Sequence, residues 1–105
     1  MNLCLNESSI RIRLSEIEFS ELKRTNKIHH SFAYWPLQVT IMVQSQAKIS
    51  RISATQLEIN IENSEVDWLI LPDIRKSGLK LIAAAGNGEE ITLDVQVDLH
   101  KNRQS

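Results

Sequence analysis

The sequence is short of the residues on which most recognisable chemistry is built. It has one cysteine, Cys4, so an intrachain disulfide is excluded. It has three glycines, two of them flanking Asn87, and a phosphate-cradling glycine loop leading into a helix cannot be assembled from them. Its two prolines break few elements. No apolar run approaches the roughly 20 residues that span a bilayer. The formal net charge of −1 provides no global field to draw in nucleic acid or an anionic membrane. The start, MNLCLNESS, has neither the basic nor the apolar region of a secretion signal, so the expected location is cytoplasmic and Cys4 is not expected to carry a lipid.

What is present is ordinary for a folded domain. The chain has 105 residues, 42% hydrophobic and 24% charged, enough for one core and one domain spanning residues 1–105. The clearest local signal is Ser9 to Asn26, SIRIRLSEIEFSELKRTN. Ile10, Ile12 and Leu14 alternate with Arg11 and Arg13, the period of a half-buried strand. Ser15 and Glu18 have capping-box spacing, and Leu14 and Phe19 have hydrophobic-staple spacing. A helix therefore runs from Ser15 to about Thr25, with Ile17, Phe19 and Leu22 toward the core and Asn26 as a left-handed stop.

Further strands are expected over Lys27 to Trp35, Leu37 to Gln44 and Lys48 to Ile61. In the last of these a phase slip between Ile49/Ile52 and Leu57/Ile59/Ile61 calls for a bulge or bend near Ser53 to Thr55. Residues 63–71 read as one or two helical turns capped by Asn63 or Ser64, with a turn and strand VDWLIL as the alternative. Asp73 to Gly78 reads as a loop and Leu79 to Ala84 as a strand. After the Gly86-Asn87-Gly88 turn, Glu90 to Leu99 alternates most cleanly of all. Arg11 and Arg13 on one strand and Asp94 and Asp98 on another suggest that these two strands are neighbours. The expected fold is α+β: one curved, mainly antiparallel and barrel-like sheet of five to seven strands, packed on one main helix, with a second short helix.

Candidate chemistry is sparse. His29 and His30 are adjacent on a strand and point to opposite faces, and neither they nor His100 and Cys4 have zinc-ligand spacing. Cys4 lacks the glycine elbow or oxyanion loop of a nucleophile, and reads as an inert or buried thiol between Leu3 and Leu5. No metal, cofactor or catalytic residue is expected. The stretch HSFAYWPLQV places Phe32 and Tyr34 on one strand face and Trp35 on the other. Aromatic residues on both faces suggest that Phe32, Tyr34 and Trp35 meet a second copy or another protein. Alternatively, Arg11, Arg13 and Arg51, joined by Lys48, line an anion-binding groove, with Glu58 and Glu62 beside them to hold a metal; such a barrel could act on polyphosphates.

The opening SIRIRLSEIEFSELKRTNKI resembles the start of a family of small uncharacterised bacterial proteins, a domain of unknown function. Its members begin with a SIRLRL-type strand, a Ser/Thr-x-x-Glu helix and a short return. LEINIENSEVDWLILPDIRKSGLKLI is compatible with that family's later strand, tryptophan-bearing turn and strand, whereas ITLDVQVDLHKNR departs from its C-terminal motif. The resemblance implies a single α+β domain and carries over no functional residue. Two functions follow from the residues. The first is a non-enzymatic protein-protein interaction or accessory module, acting as a homodimer or with another protein and binding neither nucleic acid nor membrane. The second is a small-anion or phosphate-binding domain, or a polyphosphate hydrolase, using Arg11, Arg13 and Arg51. Convergence of those arginines into a cavity with Glu58 favours the second; dispersal over a flat, wet face favours the first.

Overall fold

The computed structural model of the chain describes residues 1–33, 36–46 and 49–98. Strand β1 (Asn2–Leu5) runs antiparallel to β2 (Ser9–Ser15) at one edge of the sheet. In β2, Ile10, Ile12 and Leu14 are buried and Arg11 and Arg13 are exposed, as period-2 alternation requires. Helix α1 (Glu16–Thr25) follows with no loop, because Ser15 is both the last strand residue and the N-cap. The Glu18 N–H donates to Ser15 Oγ at 3.1 Å and the Ser15 N–H donates to Glu18 Oε1 at 2.9 Å, closing the capping box. Asn26 ends the helix in the left-handed region at φ 65°.

Phe19 and Leu22 face the core, but Ile17, expected beside them, is 80% exposed. At about 100° per residue, Ile17 lies roughly 200° around the helix from Phe19, so one buried stripe cannot hold both.

Helix α1 carries the chain to the far edge of the sheet, where β3 (Lys27–Ser31) pairs antiparallel with β4 (Gln38–Gln44). Strands β5 (Ser50–Ile52) and β6 (Gln56–Glu62) form an antiparallel hairpin. The expected single bent strand is thus two strands. The Ser53 N–H donates to the Gln56 carbonyl at 2.8 Å and the Gln56 N–H to Ser53 Oγ at 3.2 Å, so serine chemistry supplies a turn without glycine. Helix α2 (Asn63–Trp68) occupies the stretch left open between helix and strand. Its cap is Glu62, whose N–H donates to Glu65 Oε1 at 2.9 Å, one residue before the expected Asn63 or Ser64.

The expected loop at Asp73 to Gly78 is helix α3 (Pro72–Ser77). Pro72 is pre-set for the first turn, Asp73 suits its positive end, Arg75 and Lys76 suit its negative end, and Gly78 stops it at φ 88°. Strands β7 (Leu79–Ala85) and β8 (Glu90–Asp98) form the final hairpin. Lys48, Leu99 and His100 lie outside the described residues.

The described strands form one eight-stranded sheet, ordered β1-β2-β8-β7-β5-β6-β4-β3. This exceeds the expected five to seven, and the sheet is mixed: β2·β8, β4·β6 and β5·β7 are parallel. The reason is topological. Because α1 carries the chain from β2, next to one edge, to β3 at the other, later strands fill the space between, and β8 returns beside β2 in parallel, as a hairpin partner cannot. Helix α1 packs on β2 and β8 and also on β3 and β4, so the sheet curls around it as a half-barrel. The core lies between helix and sheet, with Leu14, Leu22, Ile41, Ile59 and Val95 fully buried. No helix among the described residues is long and apolar enough to cross a membrane.

Candidate functional site: a basic cleft between the sheet and the third helix

On the face of the sheet turned away from α1, parallel pairing of β2 with β8 sets Arg11 opposite Asp94 and Arg13 opposite Gln96. The neighbour relation suggested by alternating charge is therefore present, although Asp98 stands opposite Ser15 and not Arg13. Strand β7 begins at Leu79, opposite Val95, and α3 lies alongside the part of β8 beyond that point. The polar residues of β8 fasten it there. Gln96, only 5% exposed, donates from Nε2 to the Lys76 carbonyl at 2.9 Å. Lys80 Nζ donates to the Ser77 carbonyl at 3.0 Å and pairs with Asp94 Oδ1 at 2.7 Å. Gly78 sits so close to β8 that a Cβ on it would lie 3.1 Å from Asp94 Cβ.

This docking brings the end of α3 to Arg11 and Arg13. The four cations Arg11, Arg13, Arg75 and Lys76 line one cleft of about 470 Å³, together with Gln96 and Asp98. None of the four forms an ion pair among the described residues. Asp94, the acid nearest in register to Arg11, is engaged by Lys80 from the other side. Such an arrangement stores repulsion. Two unit charges about 7 Å apart, the spacing of alternate residues on a strand, repel by roughly 0.6 kcal/mol even at the dielectric of water.

Arg51 does not join this group. It is separated from β2 by β7 and β8, about 14 Å at ordinary strand spacing. It stands opposite Glu58 in the β5–β6 register, and both line a separate cleft of about 420 Å³ with Gln56 and Ser53. Glu62 is taken up at the start of α2 and lines neither cleft. The expected single groove of Arg11, Arg13 and Arg51 with Glu58 and Glu62 is thus divided in two by the strand order.

The other candidates are placed as follows. His29 shares hydrogen bonds with Thr40 Oγ1 (Nδ1, 2.9 Å) and Ser31 Oγ (Nε2, 3.4 Å), and His30 packs edge-on against Phe32 with ring centroids 4.5 Å apart. Phe32 is half-buried against the core, beyond the end of β3, while Tyr34 and Trp35 lie outside the described residues. Cys4, expected as an inert or buried thiol between Leu3 and Leu5, is exposed on the edge strand opposite Arg11. No group of three or more His, Cys, Asp or Glu side chains among the described residues is placed to hold a metal ion.

Arg75 and Lys76 were not legible as site residues while 73–78 read as a loop. The available signal was the order Pro72, Asp73, Arg75-Lys76, Gly78, which is the polarity of a short helix. Comparison with protein-family models, curated proteins and solved structures returns no match for the chain.

Proposed function

We propose that the chain is a small-anion-binding domain whose ligand sits in the cleft between β2, β8 and α3. One observation carries this reading: four cationic side chains from two separate elements line one cleft, and none forms an ion pair among the described residues. An anion relieves their mutual repulsion. Guanidinium forks are suited to phosphate and carboxylate oxygens, which they hold with charge-assisted bonds. The lining supplies cations, an amide and one carboxylate, which is equipment for holding an anion, so the role is binding rather than turnover. Titration calorimetry with pyrophosphate at low ionic strength tests it. The Arg13→Ala/Arg75→Ala protein is expected to bind at least about tenfold more weakly than the wild type. Equal affinity in the two proteins would contradict the assignment.

A second reading, a protein-protein interaction module that self-associates, is favoured by a different feature. Trp68, Ile70 and Leu71 are exposed together where α2 leads into α3. Light scattering after size exclusion, on the wild type and Trp68→Ala, tests it: a dimer that becomes a folded monomer supports it, and a wild-type monomer at all concentrations removes it.

A further inference from the structure

We infer that the cleft takes a ligand with two or three adjoining phosphoryl groups, and that it reads the phosphate chain without reading a base; this rests on the anion-binding reading above. Charge matching is the first ground. Four cations and the Asp98 carboxylate give the described lining a formal charge of +3, and a single phosphoryl group, at about −1.5 to −2 near neutral pH, leaves about a third to a half of it unmatched. Two or three joined groups match it.

Shape is the second ground. The cleft, at about 470 Å³, has more room than one tetrahedral anion fills. Arg11 and Arg13 also line a smaller hollow of about 200 Å³ on their other side, with Asn2, Leu3 and Cys4 of β1. The two arginines therefore stand between two hollows, one toward α3 and one toward the sheet edge. Cations spread over two elements, β2 and α3, suit an extended polyanion.

The third ground is what the walls are made of. The apolar part of the described lining is Pro72 and Val97, with no aromatic ring among the described residues. Nucleobases are held chiefly by stacking on aromatic side chains, and the described lining offers none. Gln96 is a positioning residue here: its amide nitrogen is committed to the Lys76 carbonyl, which holds Arg75 and Lys76 over the cleft.

The chain of phosphates could be free or carried by a nucleotide, and calorimetry with orthophosphate, pyrophosphate, tripolyphosphate and ATP at one low ionic strength separates these. Affinity is expected to rise at least about tenfold from orthophosphate to tripolyphosphate, with ATP no tighter than tripolyphosphate. Arg75→Ala/Lys76→Gln is expected to remove most of that rise while keeping the wild-type circular dichroism spectrum. Orthophosphate binding within about threefold of tripolyphosphate would overturn the inference and leave the anion site standing. ATP binding more than about tenfold tighter than tripolyphosphate would overturn the base-blind part. Failure of every anion to bind would remove both the inference and the site.

Discussion

Lys80 Nζ lies 2.7 Å from Asp94 Oδ1, although Asp94 stands between two cations in register, Lys80 on β7 and Arg11 on β2. The choice has two consequences. It gives a counter-charge to the one carboxylate of β8 that is almost fully buried, whose Oδ1 has no hydrogen-bond partner among the described residues, and it leaves Arg11 to the cleft. The pair is asymmetric, since Asp94 is buried and Lys80 is largely exposed. Lys80→Ala strands a buried carboxylate and is expected to cost about 1–3 kcal/mol in urea unfolding. Asp94→Asn returns the lysine to water and is expected to cost less, about 0.5–1 kcal/mol. The reverse order would show that Asp94 is satisfied in some other way.

Gly78 is the tightest point in the docking of α3. Its φ of 88° disfavours any side chain, and an added Cβ would meet Asp94 at 3.1 Å. Gly78→Ala is expected to lose about 1–2 kcal/mol or more, and to weaken anion binding by displacing Arg75 and Lys76. Gly86→Ala, with nothing within 4 Å of the added Cβ and no positive φ, is the control and is expected to leave the melting temperature unchanged. A neutral Gly78→Ala would mean that α3 is not held where the structure has it.

The strand-to-helix junction carries a pH signature. Burial would raise the Glu18 carboxyl, but the hydrogen bond from the Ser15 N–H and the Met1 ammonium 3.0 Å away outweigh it and hold the group below its ordinary value. A carboxyl depressed in the folded state stabilises the fold above its unfolded pKa, about 4.3 for glutamate, and loses that contribution as pH falls through the lower folded value. The wild type is therefore expected to lose stability on acidification below about pH 4.3, and Glu18→Gln to flatten that limb of the curve. Denaturant melts at a series of pH values check this; parallel curves for the two proteins would refute it. Ser15→Ala removes the other half of the box and is expected to cost about 1 kcal/mol.

Local chemistry made the junction readable from sequence alone: Ser15, Glu18 and Asn26 act on their own neighbours within a few residues, and all three do what their spacing implies. The alternation in β2 and β8 was equally legible, because burial of Ile12 and Val95 follows directly from strand period. Strand order was not legible. It depends on where α1 delivers the chain, and no residue in β3 announces that it lies at the edge opposite β1. That is why Arg51 read as a partner of Arg11 and Arg13. Helix α3 was missed because six residues show no apolar period; its buried contact is a half-buried Ile74, and it is held by backbone carbonyls and Gly78 instead.

A cluster of cations with no ion-pair partner among the described residues is expected to contribute nothing to stability. Arg13→Ala and Arg75→Ala are each expected to change the unfolding free energy by no more than about 0.5 kcal/mol, or to raise it by relieving repulsion. Added salt screens the same repulsion, so the wild-type melting temperature is expected to rise more between low and physiological ionic strength than that of the Arg13→Ala/Arg75→Ala protein. A loss of more than about 1 kcal/mol in either single variant would mean that the arginine has a structural partner.

The most direct measurement is amide-shift mapping by two-dimensional NMR during titration with pyrophosphate. An anion held between β2, β8 and α3 is expected to shift the amides of residues 11–13, 72–78 and 96–98 together, along one saturable curve, and to leave the region of Arg51 and Glu58 still. Shifts centred on residues 49–58 and 84–86, or none that saturate, would contradict the assignment of the cleft.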